Sequence, residues 1–168
     1  YQEIVLTGIH LSSYGRTSYE KLTEESGQPL LSLIRQINAV EGIRRIRLGS
    51  LEPRIITEKF VKTLIACEKV CPHFHLSLQS GSDTVLARMN RKYTTEEYAR
   101  SVDILKKYYE APAITTDIIV GFPQETEAEF AETMEFAKRI GFSKIHVFKY
   151  SRRKGTVADK MSGQVDEQ

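Results

Sequence analysis

Side chains able to bind or polarise a ligand recur at alternate positions in three strand-like stretches: Arg45 and Arg47; His75, Ser77 and Gln79; Thr115 and Asp117. Positions of the opposite parity carry Ile46 and Leu48, then Phe74, Leu76 and Leu78, then Ile114, Ile118 and Val120. A period of two puts these sets on opposite faces of a strand. One face therefore offers cations, hydrogen-bonding groups and a carboxylate, the chemistry that recognises a polar, partly charged molecule. Asp117 is the most telling, because a carboxylate in an otherwise apolar strand is costly to bury without a partner. The ends of the stretches extend the theme: "TGIH" at 7–10, "SLEP" at 50–53, "LQSGSD" at 78–83, "DIIVGFPQET" at 117–126 and "YSRRKGT" at 150–156. Each sets a small residue or glycine beside an acid, an amide or a base. No spacing gathers His10, His75 and His146, so they read as structural histidines and no metal site is predicted. Cys67 and Cys71 read as ordinary thiols, too few for a secreted disulfide scaffold.

The elements that must hold these groups alternate. Strand-like runs occupy residues 3–8, 43–50, 73–80, 113–122 and 142–150; helical periodicity occupies 30–40, 57–70, 94–109 and 125–140. The stretch "HLSLQSGSDTVLARMNRKYT", residues 75–94, opens as a strand and turns through Ser-Gly-Ser into a helix. Thr57 and Thr94 read as N-caps, the latter with Glu97 three residues on, and Gly42 and Gly141 read as helix ends. Such alternation predicts an α/β fold of parallel strands with outer helices and ligands bound beyond the carboxyl ends of the strands. Residues 11–28 read as a long loop at that end. A parallel sheet covered on both faces has nearly continuous apolar strands, and these strands are half polar. A partial TIM-type barrel, curved and open with a polar concave side, accounts for this. So does a half-exposed sheet with a solvated face, and alternation alone does not separate the two.

Composition narrows the class. The 168 residues, 40% apolar and 27% charged, suffice for one domain. The formal charge of +2 permits nucleic acid as a partner without requiring it. No apolar run is long enough to span a bilayer, and a cytoplasmic protein with no membrane contact is predicted. The strand at residues 3–8 begins almost at Tyr1, which predicts a piece of a longer polypeptide. Its apolar edge predicts a non-native dimer through unpaired backbone.

The runs "LQSGSDTVLARMNRKYT", "DIIVGFPQETEAEF" and "HVFKYSRRKGTVADKMSGQVDEQ" together resemble the radical S-adenosylmethionine methylthiotransferases that modify tRNA. Within them the chain is most similar to the branch acting on threonylcarbamoyladenosine beside the anticodon. The resemblance implies five strands of a six-stranded partial barrel over residues 1–150, and a basic extension over 151–168 leading to a tRNA-binding domain. It implies S-adenosylmethionine and two 4Fe-4S clusters as cofactors of the intact enzyme, and tRNA as its partner. Arg91 matches the binder of the methionine carboxylate; Glu52, Gln79 and Asp117 match acceptors for ribose hydroxyls. Carbonyls at Thr7 and Gly8 would receive the ammonium, and Ile119, Gly121 and Phe148 would flank the adenine. The chain departs from the family at the cluster signature Cys-x3-Cys-x2-Cys. Cys67 and Cys71 are followed by Phe74 where the third cysteine would fall, and they sit on the wrong element. No catalytic residue and no cluster ligand is therefore assigned, and the piece alone is expected to be inactive. Arg44, Arg45, Arg152, Arg153 and Lys154 are candidates for tRNA phosphates, and Tyr14 and Tyr19 for the substrate nucleotide. Two other readings stay open: a different radical S-adenosylmethionine enzyme, resembling coproporphyrinogen oxidases or protein methylthiotransferases, and a noncatalytic RNA-binding module.

Overall fold

The computed structural model describes residues 1–15 and 27–165. Its order is β1 (Glu3–Leu6), α1 (Gln28–Ala39), β2 (Arg45–Leu48), α2 (Glu58–Ile65), β3 (His73–His75), α3 (Asp83–Arg88), α4 (Thr95–Tyr108), β4 (Ala113–Val120), α5 (Glu127–Ile140) and β5 (Lys144–Lys149). Short 3-10 turns lie at Leu11–Ser13, Pro53–Ile55 and Ala158–Lys160. Most of the predicted 11–28 loop, including Tyr19, lies outside the described residues.

All strand pairs are parallel. β1 pairs with β2, β3 with β4 and β4 with β5. Single bridges Ile46↔Val70 and Leu51↔Leu76 join the two ladders into one ribbon in chain order, β1-β2-β3-β4-β5. This is an open, helix-backed ribbon, the architecture of a partial TIM-type barrel. Parallel register assigns the faces directly. Glu3↔Arg45, Val5↔Arg47, His75↔Thr115, Asp117↔His146 and Ile119↔Phe148 share one face. Ile46, Leu48, Phe74, Ile114, Thr116 and Ile118 occupy the other and are buried. They pack beneath Leu30, Leu31 and Ile34 of α1, Phe60, Val61 and Leu64 of α2, Tyr98, Val102 and Leu105 of α4, and Phe136 and Ile140 of α5. Burying each such side chain contributes about 1.5–3 kcal/mol, which fixes the register, since a one-residue slip would turn every arginine inward.

Local signals set the boundaries. Thr57 accepts from Phe60 N, and Thr94 with Glu97 forms a capping box. A second capping box, Thr126 with Glu129, starts α5 two residues later than periodicity suggests. Gly141, at φ 69°, ends that helix in the left-handed region. Helix α2 stops at Ile65 rather than at residue 70, because the following backbone is drawn into the sheet: Lys69 O accepts from Ile46 N at 2.7 Å. Gly42, at φ 84°, lies in the turn after α1, whose C-cap is Val40. β3 is much shorter than the predicted 73–80, for reasons seated in the site itself.

Candidate functional site

Beyond His75 the third strand loses its regular ladder, and side chains take over. Thr116 Oγ1 donates to Leu76 O at 2.6 Å and accepts from Leu78 N at 3.0 Å. Tyr93 Oη is 2.7 Å from Ser77 O and 3.1 Å from Leu78 O, and burial pushes its hydroxyl up to about 12. Held from both sides, Gln79 adopts φ 72°, a conformation that costs a residue with a Cβ about 1–2 kcal/mol. Two backbone bonds lock it: Gln79 N donates to Asp117 O, and Ile119 N donates to Gln79 O, both at 2.9 Å. Strain so firmly imposed at the mouth of a strand marks a position where side-chain direction matters.

Two cavities open along the consecutive strand ends. The larger, 430 Å³, is lined by Gln79 and Asp117, by Ile119 and Phe148, and by Tyr150, Ser151, Arg153 and Thr156 from the segment after β5. Its walls therefore pair acceptors with an apolar shelf. Tyr150 rests edge-on against Phe122, 5.3 Å between ring centres, and its buried hydroxyl has no partner among the described residues. The smaller cavity, 260 Å³, is lined by His10, Ser50, Glu52, Arg54, Ser77, Arg91 and Tyr93. There the Glu52 carboxylate already accepts from Arg54 Nε, and His10 Nε2 lies 3.1 Å from its second oxygen. Among the described residues the Arg91 guanidinium makes no hydrogen bond or ion pair. With Glu52 offset by Arg54, Arg91 and the neighbouring Lys92 leave this cavity cationic.

The predicted residues thus divide. Gln79, Asp117, Ile119 and Phe148 come together; Glu52 and Arg91 meet next door. Thr7 and Gly8 follow β1 beside Gly49, whose N–H donates to Leu6 O, and line neither cavity. Gly121, at φ 71°, shapes the turn after β4, where its N–H donates to Glu125 Oε2 at 2.5 Å. Glu125 also accepts from Phe122 N, and burial raises its pKa despite both bonds. Arg152 is tied to Asp159, Nε to Oδ1 at 3.1 Å, so it braces the segment after β5, while Arg153 faces the cavity. That segment returns to the strand ends: Gln124 N donates to Gly163 O at 2.7 Å. Sequence reasoning missed Tyr93 and Glu125. Glu125 carried a signal, an acid just beyond the Gly-Phe-Pro turn; Tyr93 carried none, because its partners lie 15 and 16 residues away.

The sequence pattern of the Radical SAM superfamily matches residues 7–137. The threonylcarbamoyladenosine tRNA methylthiotransferase MtaB of Bacillus subtilis is 48% identical over 99% of this chain, which spans 36% of that protein. A tRNA-2-methylthio-N(6)-dimethylallyladenosine synthase of Thermoanaerobacter sp. is 42% identical over 99% of this chain and is spanned to 34%. The chain thus covers about a third of the length of these curated relatives. Among solved structures, the radical S-adenosylmethionine methyltransferase TsrM of Kitasatospora setae superposes with a TM-score of 0.68 at 15% identity, over 90% of this chain and 28% of its own. Parallel strand order, polar strand ends and a match over most of the sequence agree: the chain belongs to the Radical SAM superfamily.

Proposed function

We propose that the two cavities together take S-adenosylmethionine, and that the chain is the S-adenosylmethionine-binding portion of a cytoplasmic tRNA methylthiotransferase acting on threonylcarbamoyladenosine beside the anticodon. The observation that carries this reading is the meeting of Gln79 and Asp117 with Ile119 and Phe148 in one cavity. Carboxamide and carboxylate suit ribose hydroxyls, and the Ile119–Phe148 shelf suits adenine. Arg91 suits the methionine carboxylate, since a guanidinium fork binds a carboxylate through two parallel bonds. The relatives' names support tRNA as substrate, and the 48% identity to a threonylcarbamoyladenosine tRNA methylthiotransferase supports that branch. S-adenosylmethionine supplies the radical chemistry; the residues of this chain bind and orient it.

The two iron–sulfur clusters of such an enzyme do not fit the residues present. A cubane cluster takes thiolates, and this sequence has two cysteines. Cys67 is buried with its thiol pushed up by desolvation and its Sγ 3.9 Å from Thr63 O. Among the described residues no three of His, Cys, Asp and Glu are placed to share a metal. A cluster would have to be held by thiolates outside this sequence.

Isothermal titration of the chain with S-adenosylmethionine tests the reading. Weak, saturable binding that S-adenosylhomocysteine displaces and Asp117→Ala abolishes is expected. Absence of any heat in the unsubstituted chain would overturn it.

A further inference from the structure

On the concave face, four side chains of β3 and β4 form a continuous polar row. His73 Nε2 lies 3.3 Å from Thr115 Oγ1, which lies 3.1 Å from His75 Nδ1. His75 Nε2 in turn lies 3.4 Å from Asp117 Oδ2. Register produces the row, since His75 sits opposite Thr115 and Asp117 is the next residue up the same face. It ends at the wall of the larger cavity.

Its last member selects the direction of the bonds. An ionised carboxylate only accepts, so the His75 tautomer that complements Asp117 carries its proton on Nε2. That atom is buried and makes no hydrogen bond to any described residue, so its 3.4 Å approach to Asp117 Oδ2 is a polar contact that a small rotation of the carboxylate would close. A neutral imidazole protonated at Nε2 has its lone pair on Nδ1, which accepts from the Thr115 hydroxyl. Thr115 then accepts in turn from His73 Nε2–H. His73 fits the neutral form: burial, Arg47 and His75 hold its pKa down, and its Nδ1 is buried without a partner. The other charged groups on this face are Glu3 of β1, Arg45 and Arg47 of β2, and Lys144 and His146 of β5, with the His146 ring centre 6.3 Å from that of His75.

We propose that His75, oriented by Thr115, is a positioning residue that holds the Asp117 carboxylate toward the cavity for a ligand bearing vicinal hydroxyls, such as a ribose. Side chains of β3 and β4 otherwise leave that carboxylate free to rotate, and a binding group must be held by neighbours that are themselves fixed. The ligand half of this inference rests on the function proposed above; the row of polar contacts does not.

The test uses the 168-residue chain with ¹⁵N-labelled histidine, together with T115V, D117N, H75Q and H75F. Long-range ¹H–¹⁵N correlation at neutral pH should show His75 protonated at Nε2. D117N and T115V should each admit the Nδ1–H tautomer. In titrations with S-adenosylmethionine, H75F should bind about tenfold more weakly. H75Q, whose amide can still donate from the Nε2 position, should stay within about threefold of the unsubstituted chain. A His75 protonated at Nδ1, or an H75F chain that binds as tightly as the unsubstituted one, would overturn the inference. If the unsubstituted chain binds no S-adenosylmethionine, the function proposed above falls, and the tautomer measurement alone decides the role of His75. If H75F does not fold, T115V and H75Q carry the test.

Discussion

The Thr116 hydroxyl occupies the gap left where β3 stops pairing, taking the N–H of Leu78 at 3.0 Å and giving its own proton to Leu76 O at 2.6 Å. Thr116 is fully buried, so neither partner can turn to water. Thr116→Val keeps shape but strands the Leu78 N–H. A loss of about 1–3 kcal/mol in urea unfolding is expected, with Leu76 O spared because Tyr98 also donates to it.

Gln79 separates backbone strain from binding. Gln79→Gly relieves the positive φ while adding freedom to the unfolded chain, so stability should stay within about 1 kcal/mol. Binding of S-adenosylmethionine should fall. Gln79→Val puts a branched Cβ at the same φ and should cost about 1–2 kcal/mol. Equal unfolding midpoints for the two variants would show that φ 72° is not imposed.

Acid should weaken the join between α3 and α5. Glu129 accepts from Arg88 at 2.7 Å and from Thr84 at 2.5 Å, and these bonds hold its carboxyl at about 2, below the ordinary 4.5. Its folded pKa is depressed, so its contribution is complete above about 4.5 and is lost as pH falls toward 2. Glu58, paired with Lys107 and Tyr108, titrates in the same window. Urea midpoints should therefore drop steeply below pH 5, and Glu129→Gln should remove part of that slope. As a cap as well, Glu129→Ala should cost about 1 kcal/mol at pH 7.

Anaerobic treatment with iron and sulfide should leave the chain colourless, since two cysteines, one of them buried, cannot complete a cubane site. A stable brown product that survives gel filtration and disappears in Cys67→Ala or Cys71→Ala would contradict this.

The sheet was legible wherever a local rule decided it. Alternation at Arg45–Leu48 gave the faces of β2, Thr57 and Thr94 marked two helix starts, and Gly141 marked a helix end. The choice between a solvated face and a receptacle was not legible, because it depends on the segment after β5 returning to Gln124 and roofing the strand ends. The early end of β3 was hidden for a related reason: it is set by Thr116 and Tyr93, 38 and 15 residues from Leu78. Arg91 and Gln79, read together as parts of one pocket, line different cavities.

Parallel register has a kinetic consequence. Glu3 meets Arg45, His73 meets Ala113 and Thr115 meets Lys144, so every ladder closes a loop of about 30 to 40 residues before it returns any energy. The cavity walls span residues 79 to 158 and need the last of these closures. During synthesis, the receptacle cannot exist until β5 has left the ribosome, so ligand capture is a late event that reports on completed folding.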